Sequence, residues 1–208
     1  MADEYKFRYD ESLAGSAGRE PAPRQSPAPS GPATNGHTPS RAKFLGHAVH
    51  QQLIPFPLGL LGTAVIFDIL YLVTDRGKLA DVAYWMIAAG IIGGLVAAPF
   101  GLADWTGIRK GTRAKRIGAL HGLGNLVLVV LFAVSWLLRR PEPAAPDGVA
   151  FVFSFVGFGL ALVSGWLGGE LIDRLAVGID SGAHADSPPS LSRRPAHELS
   201  SSPSRAGS

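Results

Sequence analysis

Four long apolar runs set the strongest limit on what this 208-residue chain can become. They cover residues 53–73, 82–103, 117–138 and 149–169, and each is about 20 residues long. At about 1.5 Å of rise per residue, a helix of that length crosses a hydrocarbon layer of about 30 Å. The rest of the chain is too polar and too short to cover four such helices in water. The sequence therefore predicts an all-α membrane protein, an antiparallel four-transmembrane-helix bundle.

Two polar regions flank the apolar runs. Residues 1–42 and 181–208 are rich in Pro, Ser, Gly and Ala, as in the stretch REPAPRQSPAPSGPATNGHTPSR. Such segments bury too little apolar surface to offset the entropy of ordering, so we predict disordered tails around a transmembrane domain at 43–180. No apolar run lies near Met1, and we therefore expect the first span to direct insertion without a cleaved signal peptide.

Basic residues concentrate in the loop between the second and third spans, where no acid accompanies them. Because Lys and Arg near helix ends favour the cytoplasmic side, we predict that this loop and both termini are cytoplasmic. The formal net charge of +3 is too small to indicate a nucleic-acid partner. We expect the loop to bind anionic lipid head groups instead, at about 1 kcal/mol per basic residue. Its basic residues are Arg109, Lys110, Arg113, Lys115 and Arg116.

Small residues at helical spacing predict how the spans pack. The fourth span carries Gly157, Ala161, Gly165 and Gly169 at intervals of four, which places them on one helix face. In lipid, helices associate through such close backbone contacts and a few polar bonds. Pro55 and Pro57 are expected in the first turns of the first span, where a missing amide hydrogen costs little. We detect no persuasive internal repeat, which argues against a transporter built from repeated units.

Ionisable and amide side chains recur near one end of the spans. Alternating crossings bring His50, Asp104, His121, Asn125 and Glu170 to the cytoplasmic side, within a layer about 10 Å thick. Asp68 belongs instead near the outer face, where we expect it to pair with a backbone amide or with solvent. Ionisable groups at membrane depth usually face the bundle interior and have partners.

Three interpretations of the inner cluster remain open. Its members could bond one another and tie the helix ends together. His50 and His121 could instead supply both axial ligands of one b-type haem. Alternatively, the two histidines with Asp104 and Glu170 could bind a divalent metal through nitrogen and oxygen.

Several enzyme and cofactor classes are excluded or disfavoured. The absence of cysteine removes iron–sulfur clusters, thiolate metal sites, cysteine nucleophiles and covalent c-type haem attachment. Ser135, Ser154 and Ser164 are expected in other spans or at other depths than His121, so no hydrolase triad is predicted. We do not predict that the chain is an enzyme on its own.

Four sequence elements together resemble a known family. They are HQQLIPFPLGLLGTAVIFDIL, AAPFGLADW, HGLGN and SGWLGGELIDRLAVGID, and they span about residues 47–180. In order and spacing they resemble the bacterial membrane proteins of domain-of-unknown-function family 2231. Members typically open the first helix with a histidine followed by proline, whereas Gln51 follows His50 here. The carried-over positions are Asp68, Gly101, Asp104, His121, Asn125, Gly168, Gly169 and Glu170.

The resemblance implies a bacterial inner-membrane protein whose activity is unknown. Some relatives are joined to Rieske iron–sulfur domains, which implies a redox role reached here through a separate partner protein. The first hypothesis is therefore a redox-associated module that binds one haem, or a metal, through His50 and His121. The alternative is a structural or partner-binding membrane protein whose polar cluster only ties helices together. A third hypothesis is a small transporter or channel subunit that relays protons through the cluster.

Overall fold

The fold, taken from a computed structural model, is described for residues 36–199 and is mostly helical. Its main elements are the two-residue strands β1 (Lys43–Phe44) and β2 (His47–Ala48), the short helix α1 (Val49–Leu53), and the long helices α2 (Pro55–Thr74), α3 (Gly77–Gly107), α4 (Arg113–Arg139) and α5 (Gly148–Gly169). A π-helical turn, Glu170–Arg174, extends α5, and a single 3-10 turn follows at Ser190–Ser192.

Four helical stretches of the described chain are long and apolar enough to cross a membrane. They are Val49–Thr74, Gly77–Gly107, Arg113–Arg139 and Gly148–Arg174, with 26 to 31 residues each. Their outward faces are apolar, since Ile66, Leu95, Leu126 and Val163 are all more than half exposed. An apolar exterior over four helices suits lipid as the solvent, because lipid satisfies no backbone polar group and a helix satisfies its own. The predicted all-α fold with four membrane-spanning helices is confirmed.

Local chemistry sets the helix ends. The Thr112 hydroxyl accepts a hydrogen bond from the Lys115 backbone N–H at the start of α4, and the Asp147 carboxylate caps α5 through Val149 N–H. Such caps satisfy amides that have no partner within the helix. The first span begins earlier than predicted, at Val49 rather than near residue 53, because α1 leads directly into α2 at Ile54. Consequently His50 lies within the first helical turn instead of preceding the helix.

The long helices pack as two hairpins. Helix α2 packs along α3 and α4 packs along α5, while α3 with α4 and α2 with α5 join the hairpins to each other. The apolar core lies where all four helices meet, and its buried members are Leu61, Ala64, Val65, Ala83, Ile87, Leu128, Phe132 and Ala161.

Only part of the predicted small-residue face of α5 is used for packing. A Cβ at Gly157 would lie 3.0 Å from the Phe132 ring, and Ala161 is 5% exposed. Gly165 and Gly169 have open space instead. At that level α5 meets α4 through Ser164 and Gly168 instead, which both contact His121.

The two hairpins share several residues and contacts at corresponding positions. The stretch VAYWMIAAGIIGGLVAAPFG in α3 and VAFVFSFVGFGLALVSGWLG in α5 share Val-Ala, Gly, Leu-Val and Gly at matching positions, 67 residues apart. The packing matches too, since a Cβ at Gly90 would lie 2.6 Å from Leu61, and Gly157 meets Phe132 at the position 71 residues after Leu61. Most side chains differ between the hairpins, so their correspondence is visible mainly through these shared contacts.

The segments on either side of the helices are joined to each other. Thr38 N–H donates to Ala176 O and Gly178 N–H donates to Thr38 O, at 3.0 and 2.7 Å, and Lys43 forms an ion pair with Asp180. Residues 36–42 therefore belong to the folded part rather than to a disordered tail. Residues 181–199, also predicted as disordered, contain turns and the 3-10 turn, while 1–35 and 200–208 lie outside the described residues.

Candidate functional site

His50 lies against α3 through both a hydrogen bond and a close packing contact. Its Nδ1–H donates to the backbone carbonyl of Ala97, at 3.0 Å. The ring faces Gly101, where a Cβ would come within 2.7 Å of the His50 Cε1 atom. Because that contact is shorter than side chains tolerate, a residue without a Cβ at position 101 lets the imidazole lie flat against α3.

His121 is held in the same way against α5. Its Nδ1–H donates to the backbone carbonyl of Ser164, at 2.9 Å. A Cβ at Gly168 would lie 3.2 Å from the His121 Cε1 atom. In both hairpins a histidine near the start of one helix donates to a carbonyl of the next helix and covers a glycine one turn further on.

These two histidines form a matched pair. Both are half-buried. An imidazole that donates Nδ1–H to a backbone carbonyl is fixed in one ring orientation and carries its lone pair on Nε2. Histidines that bind metals usually have this arrangement around the nitrogen that does not bind. The structure thus gives two of the predicted ligands, His50 and His121, the same kind of contact, one in each hairpin.

Asn125 and Ser164 complete a closed network around His121. The Asn125 amide Nδ2 lies 3.1 Å from His121 Nε2, and the Ser164 hydroxyl donates to Asn125 Oδ1 at 2.9 Å. Since the Ser164 carbonyl requires Nδ1–H, a neutral His121 must accept at Nε2, which requires Asn125 to turn its NH₂ toward the ring. The imidazole Nδ1–H, the Ser164 hydroxyl and one N–H of Asn125 therefore each meet an acceptor. Ser164 lies in another span than His121, as expected, and contacts it between α4 and α5.

The first hairpin lacks this network. Ile54 occupies the position that corresponds to Asn125, and Ala97 the position that corresponds to Ser164. Within the described part of the chain, the ring of His50 hydrogen-bonds through Nδ1 alone. The two imidazoles are thus alike at Nδ1 and different at Nε2.

Asp104 and Glu170 do not join the histidines. The Asp104 carboxylate accepts from the Ser40 hydroxyl and from the backbone N–H of Arg41, both at 2.7 Å, and so anchors the segment before β1 to the end of α3. Glu170 pairs with Arg113 at 2.6 Å. Among residues 36–199, no three His, Asp or Glu side chains are grouped closely enough to hold a metal ion. The predicted metal site, with two histidines and two acids, is therefore not assembled.

A buried ion pair lies at the opposite end of the helices. Asp68 of α2 and Arg139 of α4 are both 0% exposed. Arg139 Nη1 and Nη2 donate to the two carboxylate oxygens at 2.6 and 2.7 Å. Such a two-point pair is the strongest form of carboxylate recognition that a protein side chain offers. The expectation that Asp68 pairs with solvent or with a backbone amide is thus wrong, because its partner is Arg139. Asp68 lies about 27 Å along the helix from His50.

Two serines satisfy the remaining groups of the pair. Ser154 of α5 donates to Asp68 Oδ2 at 3.0 Å, and Ser135 of α4 accepts from Arg139 Nε at 3.2 Å. The guanidinium also lies 4.9 Å from the centre of the Phe151 ring. Sequence reasoning missed this site because Arg139 stood just after the predicted third span and was assigned to a loop.

The basic loop is divided between protein contacts and solvent. Lys115 Nζ donates to Trp105 O at 2.6 Å and lies over the Trp105 ring, and Arg113 is paired with Glu170. Arg109, Lys110 and Arg116 are exposed.

Comparison with known proteins agrees with this architecture. A family model described as "Predicted membrane protein (DUF2231)" matches residues 46–181, which covers all four long helices and both histidines. No curated protein and no solved structure gives a significant match. With well over half of its length matched, this integral membrane protein belongs to the DUF2231 family.

Proposed function

We propose that the protein is a membrane redox module that binds one b-type haem between His50 and His121. The observation that carries the proposal is the matched pair of imidazoles, each held by Nδ1–H to a backbone carbonyl, at Ala97 and at Ser164. With Nδ1 engaged in this way, each imidazole would have its Nε2 lone pair as the ligand atom for an iron, one from each hairpin.

The glycines beneath the rings support the same proposal. Gly101 and Gly168 remove the side chains that would displace the imidazoles from their helices. When bound, a haem with two imidazole ligands supplies one-electron transfer, with both axial positions filled by protein. The chain itself orients the rings and surrounds them with apolar helix faces, and it leaves electron delivery to a separate partner protein.

Asn125 adds a difference between the two ligands. His121 Nε2 accepts from the Asn125 amide, so ligation by His121 requires that this amide turn away. His50 has no such competitor within the described residues. We therefore expect His50 to be the more readily available ligand.

The orientation of the site follows from the same proposal. The histidines lie at the end of the helices that also carries the basic loop. Since basic loops favour the cytoplasmic side, we propose that the haem lies near the cytoplasmic face of a bacterial inner membrane, with both termini in the cytoplasm.

The second candidate is a structural or partner-binding membrane protein, and one observation favours it. The hydrogen bonds among His121, Asn125 and Ser164 engage both ring nitrogens of His121, as expected of a tie between α4 and α5 that needs no ligand. In that case the histidines contribute roughly 0.6–2 kcal/mol per hydrogen bond to helix association and nothing to electron transfer.

An absorption spectrum of the detergent-purified protein, with pyridine haemochrome and elemental analysis, separates the candidates. The redox proposal predicts a Soret band and about one haem per chain, lost in His50→Ala and in His121→Ala. His47→Ala is the matched control, because His47 is exposed and its ring contacts only Ser190 within the described residues. A colourless, metal-free and well-folded protein would leave the structural role. A stoichiometric divalent metal would restore the metal interpretation.

We also propose that the exposed basic residues Arg109, Lys110 and Arg116 bind anionic lipid head groups. Their support is exposure next to a helix end, with no acid in the loop. Replacing all three by Gln should weaken retention of anionic lipid by roughly 3 kcal/mol. Native mass spectrometry of co-purified lipid would measure this. The exposed tail residues Arg193 and Arg194, replaced likewise, serve as the control.

A further inference from the structure

Asp68 of the first hairpin contacts Arg139, the corresponding residue of the second hairpin. Asp68 and Arg139 are 71 positions apart, and so are His50 and His121. When equivalent positions of two repeats touch each other, they lie at a two-fold axis that relates the repeats. The hairpin α2–α3 and the hairpin α4–α5 therefore meet as the two halves of a dimer would, with unlike charges at one end of the axis.

The charges at that axis make the two halves complementary rather than interchangeable. Two copies of the first hairpin would bring Asp68 against Asp68, and two copies of the second would bring Arg139 against Arg139. Like charges facing each other without water are strongly unfavourable. The residues around the pair also differ between the hairpins. Ser135 and Ser154 of the second hairpin hydrogen-bond the pair, whereas the corresponding residues of the first hairpin, Ala64 and Ile87, are apolar.

We propose that the face on which the hairpins meet is a partner-selecting interface, and that the Asp68–Arg139 pair restricts it to one partner, the complementary hairpin. This inference is independent of any haem. The selection matters during synthesis, because the first hairpin is complete before the second exists. At about 5–20 residues per second, several seconds pass in which first hairpins of neighbouring chains could associate. A buried carboxylate on each of them opposes that association.

Charge reversal in the full-length chain tests the proposal. In Asp68→Arg both hairpins carry Arg at the axis, and in Arg139→Asp both carry Asp. Each variant is then mismatched within its own chain, yet the two variants are complementary to each other. Co-expressed with different affinity tags, they should exchange hairpins and co-purify at 1:1. Differently tagged wild-type chains, and differently tagged copies of either variant alone, should not co-purify.

The double variant D68R/R139D restores complementarity within one chain and controls for the reversed geometry. It should be recovered from membranes at near wild-type yield and should not co-purify with a second tagged copy of itself. If its side chains fit poorly, Asp68→Lys with Arg139→Glu repeats the experiment with other lengths.

Three results would overturn the proposal. The first is recovery of D68R or R139D alone as a monomer of wild-type stability, because a mismatch would then carry no penalty. The second is co-expression of the two variants without co-purification, in both the Arg/Asp and the Lys/Glu sets. The third is co-purification of differently tagged copies of D68R alone, or of R139D alone, since like charges would then fail to oppose association.

Discussion

The buried pair of Asp68 and Arg139 supports a quantitative prediction for Asp68→Asn. The substitution keeps the size of the side chain but removes its charge, and the new NH₂ group faces the Arg139 guanidinium, which only donates. Two charge-assisted hydrogen bonds, at 2.6 and 2.7 Å, are affected. Each contributes about 1.5–3 kcal/mol, and an unpaired buried charge typically costs about 3–5 kcal/mol in all. We expect the free energy of unfolding to fall by about that amount.

Denaturant unfolding in detergent micelles, followed by tryptophan fluorescence, would measure the change. The control is Glu198→Gln, which removes the charge of an exposed ion pair with Arg194 and should change stability by no more than about 1 kcal/mol. A second comparison is Asp68→Leu with Arg139→Met, which removes both charges and should recover most of the lost stability. If Asp68→Asn proved as mild as the control, the pair would not be the dry, two-point contact on which the reasoning depends.

The remaining predictions concern the histidine end and the topology. Gly101→Ala brings a Cβ against the His50 ring and should lower stability by about 1–3 kcal/mol in the same unfolding assay. Gly122→Ala is the control, because Gly122 has open space and the substitution should be neutral or slightly stabilising. Equal effects of the two substitutions would contradict the close packing. Ser164→Ala leaves Asn125 Oδ1 without its donor and should lower the free energy of unfolding by about 1–3 kcal/mol. Ser164→Thr keeps a hydroxyl and should lose less stability. A neutral Ser164→Ala would argue against the closed network. Reporter fusions in the arginine-rich loop and in the turn between α2 and α3 should lie on opposite sides of the membrane, and a shared side would remove the four-crossing topology.

The histidine end of the helices shows which contacts can be predicted from the depth of a residue in the membrane and which cannot. Counting residues along each span brought five polar side chains to one level, and the structure pairs two of them, His121 and Asn125. Asp104 and Glu170 have other partners, in Ser40 and Arg113. Helical rise determines the level of a residue, but the direction in which its side chain points depends on which neighbouring helix lies there.

Asp68 illustrates the same limit from the other end. Its depth near the outer face follows from its position in the first span, but its partner, Arg139, is 71 residues away. From the sequence, Arg139 follows an apolar run and is indistinguishable from a loop residue. Only the structure shows that Asp68, on another helix, pairs with it. The sequence did contain one signal, since His50 and His121 are separated by 71 residues, as are Asp68 and Arg139. That equality points to a contact only if the two hairpins are compared as repeats.

What the sequence by itself determined is the number, length and order of the membrane-spanning helices. These follow from local properties, because in lipid each helix satisfies its own backbone and needs only a sufficient apolar run. The tertiary structure decided which polar groups meet: each histidine with a carbonyl of the next helix, and an aspartate neutralised by an arginine from the other hairpin. Those choices depend on helix rotation and on contacts between distant residues, and in a uniformly apolar environment they are set by small residues and a few polar bonds rather than by hydrophobic pattern.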